Sequence, residues 1–307
     1  MIIKGLELNG YYINNPLYIE VSDLINTKYI EVTLTYAGVN SVTYKLYSDL
    51  TGKVLVNLAS MVRVMLPIPV ANNDYTNNTT ENTVHELSIN IKEYKTDSTT
   101  TEQNFNKKFV RGGKIGNLIN QTSATGIVLT NSKKLPVWKD RPVALYNMTS
   151  DLVVRKLSLL NLTGNYFDEA HNIQIEVQTT RYVDGVYLKF LNSLGGYSYW
   201  NFERTSTKLK TDNIGYYITP SITGEFVTDM GQEINEEITV ESVVKVEYIG
   251  IIKDLITSSE VYKYDGDNNW ERIILDGNSL TLNPVKKVYD VSISYKRHNT
   301  FTPTTLI

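Results

Sequence analysis

Cysteine is absent from the 307 residues. That absence excludes disulfides, thiolate metal ligands and cysteine nucleophiles together, and it leaves the compartment open, because neither a cytoplasmic protein nor a particle held by subunit contacts needs disulfides. Histidine is almost as scarce. His85, His171 and His298 stand far apart with no helical ligand spacing, so ordinary surface imidazoles are the simple expectation for all three. No apolar run reaches the length of a signal-peptide core or a membrane-crossing helix, and the opening MIIKGLELNGYYINN already reads as a strand. The net charge of −3 lacks the basic excess of a dedicated nucleic-acid binder. GxSxG, HExxH and GxGxxG do not occur, and RGGKIG (111–116) is no phosphate loop, since Ile115 follows Lys114 where Ser or Thr is required. Neither a solenoid repeat, a heptad nor a Gly-X-Y tract is visible, which argues against a fibre shaft.

What the chain does have is tyrosine, 22 against 7 phenylalanines, together with abundant Thr and Asn. Tyrosine favours strands and tolerates half-wet sites, so this composition points to sheets with large hydrated interfaces. An A/T-rich coding sequence accounts for the same skew equally well. Period-two alternation is frequent: Ile30, Val32, Leu34 and Tyr36; Val42, Tyr44 and Leu46; Val54, Val56 and Leu58; Leu87, Ile89 and Ile91. Residues 59–66 break the pattern as a short helix stopped by Pro67. The fold expected is mainly β, with two or three β-sandwich-like domains and one amphipathic helix in the C-terminal third. The divisions expected are an N-terminal sandwich over 1–113, a linker and connecting strand over 114–150, a central β-domain over 151–203, and a C-terminal α+β region over 204–307.

Within these spans, residues 71–82 (ANNDYTNNTTEN) and 96–104 (TDSTTTEQN) read as polar loops. Pro136 and Pro142 make 135–147 a linker followed by a strand. Strands are expected at 152–159, at 173–177, at 261–264, at 270–275 and at 288–295. Residues 203–226, ERTSTKLKTDNIGYYITPSITGEF, read as a polar connection long enough to reach a neighbour. Ser242 to Ser258 carries the best helical period, with Val244, Tyr248, Ile251 or Ile252, and Leu255 on one face.

The densest signal is GVYLKFLNSLGGYSYWNFE (185–203), an aromatic hairpin in which Gly195-Gly196 supply the positive backbone angles of a tight turn. One face can enter a core while the other presents aromatics, so Tyr197, Tyr199, Trp200 and Phe202 are the candidate interface residues. Loops 71–82 and 205–215 are further candidate contacts.

Two patterns come near chemistry. Asp265, Asp267, Asn269 and Asp276 fall at calcium-loop spacings, but Trp270 occupies the position that needs glycine, and DGDNN between VYKY and WERIIL reads better as a hairpin turn. Asp168-Glu169 and Glu236-Glu237 are adjacent acids, whereas glycoside cleavage needs two carboxyls facing one bond. No catalytic, cofactor-binding or metal residue is expected.

The aromatic hairpin, NPLYIEV (15–21), SDLTGKVLVNLASMV (48–62), FVRGGKIG (109–116) and VVKVEYIGIIKDLITSSEVYKY (243–264) together resemble virion tail and baseplate-type proteins of tailed bacteriophages and prophages of Bacteroidetes, crAss-like phages included. The resemblance implies a non-enzymatic structural protein of a tail hub, ring or baseplate, assembled in the host cytoplasm. Its partners would be copies of itself in a ring and other tail proteins, with DNA passing at most passively through a channel and no membrane segment. The competing expectation is a carbohydrate-binding or adhesin module, whose indoles would have to be exposed.

Overall fold

The computed structural model describes residues 1–38, 40–66, 80–81, 83–112, 127–149, 152–159, 164–168, 172–179, 185–213, 215–221, 224–229, 232–266, 269–276, 280 and 287–297. The chain is mainly β, with two short α-helices among the described residues. Residues 71–79 of the first candidate contact loop, His171, His298, Glu169 and Asp267 lie outside the described residues.

The N-terminal region comprises β1 (Ile2–Lys4), β2 (Gly10–Tyr12), β3 (Tyr18–Ser22), β4 (Thr27–Tyr36), β5 (Asn40–Leu46), β6 (Val54–Asn57), α1 (Leu58–Met65), β7 (Thr80–Glu81), β8 (Val84–Lys95) and β9 (Thr100–Val110). A five-stranded sheet in the order β2-β9-β8-β4-β5 and a three-stranded sheet β1-β3-β6 close on one core with α1. The alternation that identified the strands does the burying: Ile30, Val32 and Leu34 meet Leu87, Ile89 and Ile91, while Glu31, Thr33 and Thr35 stay half-exposed. The helix starts where expected because the Asn57 side chain caps it, accepting from the Ala59 N–H at 3.1 Å and also from Leu17 N–H at 3.0 Å.

Residues 96–104 correct the sequence reading. Thr100 to Asn104 belong to β9, which pairs with β8 along its whole length, from Tyr94↔Thr100 to Val84↔Val110. Threonine is β-branched and suits a pleated, half-exposed surface. A search for apolar alternation misses such a strand, because its partner strand supplies the apolar residues.

The second region runs through β10 (Ile127–Val128), β11 (Lys134–Trp138), β12 (Ala144–Met148), β13 (Val154–Ser158), β14 (Tyr166–Asp168), β15 (Ile173–Gln178), β16 (Val186–Leu191), β17 (Tyr197–Phe202), β18 (Arg204–Asn213), β19 (Tyr216–Ser221), β20 (Gly224–Asp229), β21 (Gln232–Lys245), α2 (Ile249–Thr257), β22 (Val261–Gly266), β23 (Asn269–Leu275) and β24 (Val288–Arg297). A seven-stranded sheet, β17-β16-β22-β23-β24-β21-β18, shares one hydrophobic core with the sheets β10-β12-β13-β7 and β11-β15-β14. Residues 151–203 and 204–307 therefore contribute to the same sheet and the same core. Among the described residues, the buried core of the N-terminal region runs from Leu6 to Phe109, but Tyr12 and Val110 cross into the second core and β7 pairs with β13.

Two further expectations shift. The linker at 134–138 is itself a strand, with Pro136 opposite Glu176 in a parallel pair. The expected helix from 242 begins later: β21 continues to Lys245, opposite Val288, a single 3₁₀ turn (Val246–Tyr248) follows, and α2 covers the rest. The apolar face survives the change, since Val244, Tyr248, Ile251, Ile252 and Leu255 are all buried. No helix among the described residues is long and apolar enough to cross a membrane.

Candidate functional site

The aromatic hairpin pairs Val186↔Phe202 through Leu191↔Tyr197, as its alternation requires. Its turn is longer than two residues. Asn192 N–H donates to the Gly196 carbonyl at 2.8 Å, and the Asn192 side-chain oxygen accepts from Leu194 N–H at 3.0 Å and Gly196 N–H at 3.1 Å. Only Gly195 has a positive φ, +89°. Gly196 is needed for closeness instead: a Cβ there would lie 2.7 Å from Leu129 Cβ and 3.0 Å from Tyr146 Cβ.

All twelve strand residues of this hairpin are buried. Tyr197, Tyr199, Trp200 and Phe202, expected at a subunit surface, lie inside the chain's own core at 6, 5, 4 and 0% exposure. The reason is a second layer on each side. Tyr199 OH meets Tyr146 OH at 2.7 Å, Trp200 packs edge-on to Trp138 at 5.3 Å and against Tyr248 at 5.8 Å, and Tyr199 tilts against Trp270 at 6.1 Å. Trp138 and Trp270 are equally buried, so the chain's three indoles offer no stacking platform to a sugar.

The Gly-Gly turn and the RGG motif meet across 83 residues of sequence. A Cβ on Gly112 would stand 2.7 Å from Gly195 N, and one on Gly195 would collide with the Arg111 carbonyl oxygen. Beside this contact sits a buried polar cluster joining the two cores. Arg111 forms an ion pair with Glu260 through Nη1, and its Nε donates to His85 Nε2 at 3.0 Å. Tyr197 OH donates to Glu260 Oε2 at 2.9 Å, and Tyr36 OH lies 3.2 Å from His85 Nδ1. Because His85 Nε2 accepts from the guanidinium, its ring proton sits on Nδ1 and is directed at Tyr36. Burial, reinforced by the Arg111 charge, pushes the His85 pKa down to about 4, so the imidazole is neutral. The surface expectation for His85 is thus corrected. The signal was present, since His85 shares the parity of Leu87, Ile89 and Ile91 on β8. A neutral histidine already hydrogen-bonded on both nitrogens, beside a paired arginine, has no free position for substrate chemistry.

A second acidic position is Asp254 on α2. Burial raises its pKa while bonds from Ser193 and Asn131 oppose the rise, with Asn131 Nδ2 at 3.0 and 3.1 Å from the two carboxylate oxygens. It anchors the hairpin turn to the helix. Asp168 is buried. No group of three or more His, Asp or Glu able to hold a metal occurs among the described residues. The Asp265 region forms the hairpin anticipated, with β22 and β23 paired from Val261↔Ile273 to Gly266↔Asn269 and Gly266 at φ +91°.

The other candidate contact segment, 205–215, is not a loop. Residues 204–213 form β18, paired with β21 from Arg204↔Glu241 to Asn213↔Gln232, and the same register continues through β19 and β20 from Tyr216↔Asp229 to Ser221↔Gly224. The β-branched Thr205, Thr207 and Thr211 support this strand as threonines support β9. Among the described residues, β24 accompanies β21 only from Ile238 to Lys245. Beyond Ile238 the described strands of the hairpin pair only with each other, as a two-stranded ribbon. Leu209, Tyr216 and Ile218 are exposed on it, at 66, 66 and 50%.

The arm is rooted in the body by continuity. β17 and β18 stand at opposite ends of the seven-strand order but are separated only by Glu203, whose N–H donates to the Glu241 carbonyl at 3.1 Å. Since one residue spans less than 4 Å, the sheet must curl until its two ends meet there. A cleft of about 210 Å³, lined by Glu203, Arg204, Glu241, Ser242, Asp290 and Ser292 among others, marks this corner.

No protein-family model matches the chain, and no curated protein matches it at a significant level.

Proposed function

We propose that the protein is a non-enzymatic structural component of a tailed phage virion, in its tail hub, ring or baseplate, and that it works by assembling with itself and with neighbouring tail proteins. The observation that carries this reading is the arm. An isolated two-stranded ribbon is marginal in water, and among the described residues this one has no strand partner on either edge past Ile238 while displaying Leu209, Tyr216 and Ile218. Such a strand pair is an adhesive element unless something covers it. The buried polar cluster supports the same reading from the opposite side, because its ionisable groups are spent on joining the two cores. The resemblance of five sequence motifs to tail and baseplate proteins supplies the setting: assembly in the bacterial cytoplasm, with DNA passing at most passively. The carbohydrate-binding alternative is disfavoured by the burial of Trp138, Trp200 and Trp270.

Immunogold electron microscopy of particles released from bacteria carrying the coding sequence tests the proposal. Gold at the tail is the expected outcome. Gold confined to the cell surface, with bare particles, would sink the virion reading and favour the adhesin.

A further inference from the structure

The two strands of the arm differ in charge. The outgoing strand, whose outer edge has no strand partner among the described residues, holds Arg204, Lys208 and Lys210 against Asp212, a net of +2 over residues 204–221. The returning strand, with no described partner on its outer edge beyond the last β24 pair, holds Glu225, Asp229, Glu233, Glu236 and Glu237 with no basic residue, a net of −5 over residues 224–237. The whole chain is only −3, so this one strand carries more net negative charge than the chain as a whole. Directly across the rungs of the arm, the register sets Lys208 opposite Glu237.

We infer that the arm's partner is the same arm of a second copy, joined edge to edge, the basic outgoing strand of one against the acidic returning strand of the next. This inference rests on the assembly reading and deepens it by naming the partner and the surface. Three considerations favour it over other occupants. Among the described residues neither edge has a strand partner past Ile238, and one new ladder on each side satisfies the backbone donors and acceptors of both at once. Opposite charges directly across a strand pair stabilise it and like charges oppose it, so an outgoing edge rejects a second outgoing edge and a returning edge rejects its own kind. With like-to-like pairing disfavoured, the contact is head-to-tail, and a head-to-tail contact closes into a ring when its rotation allows. In such a ring all arms point the same way. Each outgoing strand then lies beside a returning strand running in the opposite direction, so the new ladders are antiparallel like those within each arm. The product is a closed annulus of hairpins standing on the ring of bodies.

Two charge-reversed chains test this. Lys208→Glu with Lys210→Glu makes the outgoing edge −2, facing −5. Glu225→Lys with Glu233→Lys and Glu236→Lys makes the returning edge +1, facing +2. Light scattering and negative-stain images across a concentration series should show closed rings for the wild type. Each variant alone should need at least about tenfold more protein to assemble, from the loss of several cross-strand charge pairs. An equimolar mixture should assemble near the wild-type concentration, with the two chains in equal number by native mass spectrometry, because every mixed contact again joins opposite charges. Rescue by mixing also shows that neither variant is simply misfolded. Wild-type protein that stays monomeric, single variants that assemble like the wild type, or a mixture that fails to recover would each overturn edge-to-edge pairing. If particles nevertheless carry gold at the tail, the virion reading survives that failure. Rings without labelled particles would mean the reverse.

Discussion

Two hairpins follow one another along this chain, joined by Glu203, and they meet opposite fates. β16–β17 has every strand residue buried, whereas the described side chains of β18, next along the chain, are exposed over Arg204 to Leu209. Both are antiparallel and both hold their register. The difference lies in what the alternate positions carry: aromatics and aliphatics on both parities in the first, Thr, Ser and charged residues with one leucine in the first nine residues of the second. An apolar hairpin is consumed by its own core, and a polar one is left with free edges. Aromatic density therefore marks the architecture of this protein, and the less conspicuous polar ribbon is its better candidate for contact.

The sharpest way to break this comparison is to remove an aromatic from the buried hairpin. Trp200→Ala should cost about 3–5 kcal/mol in urea or guanidinium unfolding, the usual loss for a deleted core aromatic. A cost under 1 kcal/mol would mean that the hairpin is not the core element described. Next, Glu260→Gln leaves the Arg111 charge buried with a weaker partner and should cost about 3 kcal/mol by the same assay. A neutral effect would show that the ion pair does not hold the two cores together.

Acid should reach the same junction through His85. Its folded pKa of about 4 lies below the unfolded 6.5, so between these values the unfolded chain binds more protons and stability falls as pH drops. The loss should be complete below pH 4, amount to up to about 3 kcal/mol, and be absent above pH 7. Asp254, raised by burial, acts in the opposite sense, so the informative quantity is the difference from His85→Gln. That variant should lack the decline between pH 6.5 and 4, and parallel wild-type and variant curves would refute the assignment. The smallest effect belongs to the arm. Leu209→Ala, at an exposed site outside either core, should change unfolding free energy by less than about 0.5 kcal/mol, and a larger loss would mean that the ribbon is packed against the body.

Much of the fold was legible from the chain. Period-two runs located β4, β5 and β8, strand patterns located β22, β23 and β24, and a short apolar helical pattern stopped by Pro67 located α1, because in those segments burial itself imposes the pattern. Threonine-rich β9 and β18 were not legible, since they owe their place to a partner strand and leave no apolar imprint of their own. The start of α2 was misread for a related reason: Ser242 to Lys245 satisfy a helical period, yet pairing with β24 holds them extended. At the sites, the hairpin's importance could be read but its direction could not. Whether Tyr199 and Trp200 face a partner or Tyr146 and Trp138 depends on segments over 50 residues away. The Arg111, His85, Glu260 and Tyr197 cluster is tertiary in the same way, and only the parity of His85 on its strand pointed towards it.

The manner in which β21 leaves the body has a mechanical consequence. It is one uninterrupted strand from Gln232 to Lys245, held by β24 over the eight residues from Ile238 to Lys245. Force applied along the arm runs parallel to that strand and perpendicular to its ladder bonds, so those rungs are loaded together in shear and cannot open singly from one end. A pull on the tip is thus shared by the sheet that carries the aromatic core, and the arm can act as a tether without first peeling away from its own subunit. Stretching single molecules by the tip should give a markedly higher rupture force along the ribbon than across it, and equal forces in the two directions would contradict this picture.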